Sequence, residues 1–221
     1  MDHTVDLLHV GFITHDVKQF ITTRPDDLDY EPGQGVEVAL DLDGWRDEGR
    51  PFTPTSLGDE DVLEFTIKTY PEHDGVTERL HDLEAGAKLH MSDSFGSITW
   101  QGPGTFIAAG AGITPFLAIL RERARRGELE DSVLHFSNST PADIICEREL
   151  EDLLVERCRF TCTQESGTGY DDRRIDAEYL EEEIDDPSGV FYVCGPPDFV
   201  EATRETLLEM GADDDRVVVE S

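Results

Sequence analysis

The chain changes texture at Gln101-Gly102-Pro103-Gly104, and that change limits the folds open to it more than any single motif does. Before it, short runs of β-branched residues alternate with polar ones, and no helix of ordinary length interrupts them. After it, apolar runs of about five residues alternate with helical stretches through to the C-terminus. Short strands at regular spacing close into small barrels, whereas strand–helix alternation builds a parallel sheet covered on both faces. The expected fold is therefore a small antiparallel β-barrel over residues 1–101, followed by a doubly wound α/β domain with a parallel five-stranded sheet over residues 102–221. A chain of 221 residues is long enough for both, each with its own core.

In the first half, two strands are expected between residues 5 and 22, joined near His15-Asp16. A turn cluster, Pro32-Gly33-Gln34-Gly35, precedes a strand over 36–42. Further strands are expected over 62–70, 88–92 and 96–100. Between 62–70 and 88–92 the sequence predicts a loop over 71–75 and a short helix over 77–83, with Thr77 as N-cap. Gly75-Val76-Thr77 at that helix start leaves backbone N–H groups open to an anion; the plainer reading is a capped helix that binds nothing. The richest stretch is Arg50-Pro51-Phe52-Thr53-Pro54-Thr55-Ser56. Alternate residues of an extended segment share a face, so Phe52 and Pro54 lie together with Arg50 and Thr53 flanking them. A forked cation and a flat ring suit a planar ligand that carries phosphate. Taken alone, the heptad is equally a strand end followed by a turn.

In the second half, the apolar run 105–109 leads into Gly110-Ala111-Gly112-Ile113-Thr114-Pro115 and a helix to Arg126. Glycines at a strand-to-helix turn let a ligand approach the backbone, and Pro115 suits a first helical turn. The usual dinucleotide fingerprint is not reproduced: Pro115 stands at its third glycine, and Ser137-Asn138-Ser139-Thr140 lacks the acid expected to hold a ribose. Strands are then expected over 132–136, 159–163, 190–194 and 216–219, and helices over 144–156, 176–184 and 198–210. Ligands bind at the carboxyl ends of such strands, where Gly110 to Thr114 and Cys194-Gly195-Pro196-Pro197 both fall.

Composition sets the surroundings. Fifty acids face eighteen basic residues, only three of them lysine (Lys18, Lys68, Lys88), for a net charge of -32. The acids are spread along the chain. Self-repulsion of this size fades as salt shortens the Debye length to about 3 Å at 1 M, so a high-salt cytoplasm is expected. Nucleic acid and anionic membrane are poor partners for such a surface. No leader of charged-then-apolar type and no apolar run of membrane-spanning length is seen, and cytoplasmic residence is expected. Cys146, Cys158, Cys162 and Cys194 match no metal or iron–sulfur spacing, and the seven histidines none for zinc, so no metal site is expected.

An all-β half with Arg-x-Phe-Thr-x-x-Ser, followed by an α/β half with Gly-x-Gly-x-Thr-Pro and Cys-Gly-Pro-Pro, resembles the ferredoxin–NADP⁺ reductase superfamily. The chain looks most like its compact flavin reductases without an iron–sulfur domain. The resemblance covers nearly the whole chain and includes Pro32-Gly33-Gln34. It implies FAD, with FMN the alternative, and NADH or NADPH as substrate. It implies that Arg50 binds a flavin phosphate, Pro51 and Phe52 lie against the isoalloxazine, and Thr53 sets a hydroxyl near flavin N5. Ile67 and Lys68 would line the flavin, and Gly75, Val76 and Thr77 would hold its pyrophosphate. Gly110, Gly112, Thr114 and Pro115 would receive the nucleotide pyrophosphate. Cys194, Gly195 and Pro196 would lie beside the nicotinamide, with Thr53 and Cys194 as the catalytic pair. Two departures stand out: Phe52 and Thr53 replace the commoner Tyr and Ser. Thr163-Gln164 replaces the Ser-Arg of NADPH users, with Arg173 and Arg174 as substitutes from the next loop, which tilts the expectation toward NADH. The implied reaction is hydride transfer from nicotinamide to flavin, then electron delivery to a ferredoxin, a flavodoxin, an oxygenase, a haem protein or a small acceptor. The alternatives are a non-catalytic flavin-binding regulatory subunit and a nucleotide-binding domain without flavin.

Overall fold

A computed structural model describes residues 1–69, 75–96 and 98–220. Its first sheet has six strands: β1 (His3–Phe12), β2 (Val17–Thr23), β3 (Val36–Leu40), β4 (Arg50–Phe52), β5 (Val62–Lys68) and β6 (Lys88–Met91). They lie in the order β4-β3-β6-β1-β2-β5, and every pairing is antiparallel. Past β4 the chain returns to the opposite edge. Pro54 bridges Phe65 of β5, and Thr55 N donates to Glu64 O at 2.7 Å. The two edges therefore nearly meet, which removes the open strand edge a flat sheet would leave. Alternation fills the interior: Val5, Leu7, Val36, Val38, Leu63, Phe65 and Ile67 all point into one buried cluster.

Short helix α1 (Val76–His81) follows β5. Its N-cap is Gly75, with no side-chain cap, and Thr77 sits inside the first turn rather than at the cap. The loop expected over 71–75 and the strand end at Tyr70 lie outside the described residues, Gly75 excepted. The strand expected over 96–100 does not form among its described residues; Ser97 lies outside them. Its apolar pattern reflects burial instead. Ile98 packs into the core of the second sheet, and the Trp100 ring stacks on Tyr192 at 5.9 Å.

The second sheet contains β7 (Gly104–Ala109), β8 (Val133–Asn138), β9 (Cys158–Cys162), β10 (Val190–Cys194) and β11 (Val217–Val219). Its order is β11-β10-β7-β8-β9, all parallel. Helices α2 (Thr114–Arg126), α3 (Glu147–Leu154), α4 (Ala177–Glu183) and α5 (Pro197–Glu209) connect the strands. Both faces are covered, so each strand is buried on both sides. Phe106 and Ala108 of β7 join α2 and α3 residues in one core, while Ile107 joins α4 and α5 residues in another. The helix expected from residue 144 starts only at Glu147. Thr140 and Asp143 cap a preceding single turn, Pro141–Asp143, and Cys146 takes a left-handed φ of 54°, which stops the helix from running back further. From β7 the chain steps outward to β9, then crosses back to β10. The switch falls between β7 and β10, the crevice where open α/β sheets bind ligands.

Candidate functional site

One cavity of about 700 Å³ opens where the barrel meets the carboxyl ends of the parallel strands. From the barrel it is lined by Pro51, Phe52 and Thr53 at the end of β4, Thr66, Ile67 and Lys68 of β5, Thr77 of α1, and Val17. From the sheet come Gly110, Gly112, Thr114 and Pro115 at the start of α2, and Cys194, Gly195 and Pro196 after β10. Thirteen of the sixteen residues expected at the site share this one cavity. Arg50, Gly75 and Val76 are not on its wall. Arg50 is exposed and donates to the Gly49 carbonyl at 2.8 Å, and Val76 buries its side chain in the barrel core.

Local structure explains the close approach of the two sheet turns. Cys194 pairs with Ala108, so the turns after β10 and β7 leave neighbouring strands side by side. At Gly112 there is no room for a side chain: a Cβ would lie 2.3 Å from the Cys194 carbonyl oxygen and 2.6 Å from the Gly195 nitrogen. Gly110 has φ +53°, a conformation that costs other residues energy. Thr114 Oγ1 donates to the Ala111 carbonyl at 3.0 Å and fixes the turn, while Pro115 begins the helix.

Further wall residues went unread in the sequence as site residues. Ser137 and Asn138 end β8 and Ser139 follows it, Thr163 follows β9, and Asp143, Ile145 and Glu220 add to the wall. The signal for most was available: they lie at or just past the carboxyl end of a parallel strand, Glu220 at that of the last strand. Asn138 is buried and its Oδ1 has no hydrogen-bond partner among the described residues, an acceptor of the kind a ligand donor would satisfy.

The electrostatics of the wall are specific. Burial pushes the Cys194 thiol up to about 12, with the Glu220 carboxylate adding to the shift, and Sγ donates toward Glu220 Oε2 at 3.8 Å. Burial and the neighbouring carboxylate thus both favour the protonated thiol. Lys68 Nζ lies 2.9 Å from Asp16 Oδ2. Burial raises the Asp16 pKa, but hydrogen bonds from Lys68 and Thr14 outweigh it and leave the carboxyl below its ordinary value. His15, Asp16 and Asp143 are the one group among the described residues whose donor atoms cluster as for a metal, within 4.8 Å of one another. Both carboxylates already serve the protein: Asp16 accepts from Thr14 and Lys68, and Asp143 from the Thr140 N–H and hydroxyl.

Residues 106–205 match the oxidoreductase NAD-binding domain family. NADH-cytochrome b5 reductase 2 of Lodderomyces elongisporus is 31% identical over 174 residues, covering 69% of this chain and 56% of the relative. A ferredoxin NADP⁺ reductase from Neisseria gonorrhoeae, solved with bound FAD and NADP, superposes with a TM-score of 0.85, covering 99% of this chain and 97% of that one. In its second half the chain is similar to oxidoreductase NAD-binding domains, and over its whole length it shares the fold of a ferredoxin NADP⁺ reductase. At 22% identity the Neisseria likeness is one of fold. An NADPH oxidoreductase of Mycobacterium tuberculosis is 26% identical over 197 residues, covering 85% of this chain. The chain spans 56% and 51% of the length of these two sequence relatives. The fold shared with the Neisseria structure is the barrel plus parallel sheet described above, and the cavity lies at the junction of the two.

Proposed function

We propose that the protein is a flavin-dependent NAD(P)H reductase that takes hydride from a nicotinamide and passes electrons to a protein or small acceptor. The observation that carries this reading is the shared cavity: Phe52, Thr53, Ile67 and Lys68 from the barrel face Gly110, Gly112 and Cys194 from the sheet. Its volume of about 700 Å³ suits a cofactor-sized ligand, and the orphan Asn138 Oδ1 on the sheet side suits a hydrogen-bond donor of a nucleotide. FAD is preferred over FMN on family habit.

Flavin, when bound, supplies an acceptor of two electrons that can release them one at a time. The chain supplies binding, orientation and dryness. Phe52 offers a ring for stacking while its other side packs on the barrel core. Buried Thr53 offers a hydroxyl on the barrel wall of the cavity. Lys68 brings positive charge to the same wall, held by Asp16. On the sheet side, Gly110 and Gly112 would offer backbone to a pyrophosphate at the start of α2, where helix N–H groups favour anions. Cys194, with Glu220 beside its neutral thiol, would serve as a spacer for the nicotinamide. Arg50, Gly75 and Val76 remain assigned to flavin phosphate through side chain or backbone from outside the cavity wall.

NADH is the preferred donor. Arg173, one of two cations that could have met a 2′-phosphate, is engaged by Asp171, Glu182 and Glu183. The domain boundary is assigned to the Gln101–Gly104 link, which lies between the last barrel strand and β7. Work in a salt-rich cytoplasm is part of the proposal, and the charge of -32 supports it. A ferredoxin, a flavodoxin, an oxygenase or a haem protein would each suit as acceptor.

The test is colour. Purified in molar KCl and reconstituted with FAD, the protein should be yellow and should bleach with NADH faster than with NADPH. Protein that retains no flavin overturns the assignment, and yellow protein that neither nucleotide bleaches points to a non-catalytic flavin-binding subunit.

A further inference from the structure

Arg121 lies on α2, seven residues after Thr114, two turns along the same helical face. It is largely buried, at 21% side-chain exposure, and its guanidinium holds three groups at once. Nε and one terminal nitrogen grip both oxygens of Glu149 on α3, at 2.6 and 2.9 Å. The other terminal nitrogen crosses to the barrel, donating to the Thr55 carbonyl at 2.6 Å and to Glu64 Oε1 at 2.8 Å.

The barrel partners are tied to the cavity wall. Thr55 stands two residues beyond Thr53, and Glu64 two residues before Thr66; both Thr53 and Thr66 line the cavity. Thr55 Oγ1 donates to Glu64 Oε1 at 2.7 Å, and Gln19 Nε2 donates to Glu64 Oε2 at 2.6 Å. The Thr55 N–H donates to the Glu64 carbonyl, so Thr55 is pinned from both sides. At its other end α2 begins with Thr114 and Pro115 on the opposite wall. One rigid helix thus joins the nicotinamide-side turn to the strip carrying Phe52 and Thr53.

We infer that Arg121 is a positioning residue: through Thr55 and Glu64 it sets the separation between the flavin strip and the nucleotide turn. The inference rests on the hydride-transfer reading above. Forked, bidentate geometry suits Arg for this, since a lysine would keep the charge but not the simultaneous grip. A second cross-link supplies the control. Arg125, one turn further along α2, pairs with Asp59 and Glu60 of the barrel at 3.1 and 3.0 Å. It is more than half exposed and holds a loop away from the cavity wall.

The experiment compares Arg121→Ala, Arg121→Lys and Arg125→Ala with wild type, all FAD-loaded in molar KCl. Stopped-flow bleaching by NADH gives the limiting rate and the half-saturating concentration, and amide hydrogen exchange of the flavin-free proteins reports on residues 53–56. A displacement of about 1 Å costs up to about 10²-fold in rate, so Arg121→Ala should lower the limiting rate by about 10- to 100-fold. Half-saturation should move by less than about threefold, since no nucleotide contact is removed. Exchange at residues 53–56 should quicken, Arg121→Lys should recover part of the rate, and Arg125→Ala should match wild type. A wild-type limiting rate in Arg121→Ala overturns the inference, and so does an equal slowing in Arg125→Ala, which would indicate mere adhesion of the two halves. Should Arg121→Ala fail to fold, a full wild-type rate in Arg121→Lys overturns it. If wild type itself does not bleach, the reading of the site fails, and exchange at residues 53–56 alone decides for or against the clamp.

Discussion

Replacing Gly112 by alanine puts the shared-cavity reading under direct strain. The new methyl would sit 2.3 Å from the Cys194 carbonyl oxygen, 2.5 Å from its carbon and 2.6 Å from the Gly195 nitrogen. All three are backbone atoms, so no rotamer change relieves the contact. Ordinary contact begins near 3.5 Å, and the Cys194 turn must therefore retreat by about 1 Å. Overpacking of this kind costs about 1–3 kcal/mol, while the glycine-to-alanine change in a permitted conformation returns only about 0.4–1 kcal/mol through the unfolded state. The clash wins, and the melting temperature should fall by about 2–4 °C per kcal/mol for a chain of this size. The functional effect is larger, because the turn that moves carries Cys194, and a 1 Å displacement costs up to about 10²-fold in rate. Gly110→Ala offers the contrast. A Cβ there meets nothing within 4 Å, and the cost, about 1–2 kcal/mol, is that of the positive φ alone. Paired melting curves and stopped-flow bleaching by NADH read both effects. Gly112→Ala protein that melts and bleaches like wild type would refute the claim that these two turns pack into one site.

Three other outcomes follow from the same structure. Buried His135 accepts or donates at Tyr179 Oη at 2.9 Å, and burial, with the Arg159 charge added, lowers its pKa to about 4. Between pH 6.5 and 4 the unfolded chain binds a proton there that the folded one refuses, so stability should drop as pH falls, by about 3 kcal/mol over the window. Urea titrations across that range should show the drop in wild type, and its persistence at equal size in His135→Gln would contradict the assignment. Cys194, with its thiol pushed up to about 12, should resist alkylation by iodoacetamide at pH 8 in the native protein and react on unfolding; rapid native labelling at Cys194 would disprove the neutral-thiol role. Finally, the charge of -32 predicts a melting temperature that climbs between 0.1 and 2 M KCl as repulsion is screened, and a flat or falling curve would remove the high-salt proposal.

Much of the fold was legible because periodicity reports burial directly. Two-residue alternation marked β1, β2, β3 and β5, and the wholly apolar runs of β7 and β10 marked strands covered on both faces. The same signal misled at residues 96–100, where Ile98 is buried and Trp100 partly buried against the neighbouring sheet and neither lies in a strand. The helix expected from residue 144 began late because a left-handed Cys146 is a backbone event that composition does not announce. The glycine turn, the Phe52-Thr53 strip and the Cys194 turn, each a local motif of adjacent residues, all line the one cavity.

By itself, then, the sequence determined the two kinds of sheet, their order along the chain and the local motifs that mark the cavity. Tertiary structure alone decided which distant residues meet. Arg121 reaches Thr55 and Glu64 across 66 and 57 positions, and Glu220 reaches Cys194 across 26. Contacts of that span depend on how the two halves dock, and no local pattern encodes docking. The physical reason is range: hydrophobic period and turn chemistry act over a few residues, whereas an ion pair or a methyl-sized gap at Gly112 exists only once separate elements have been brought together.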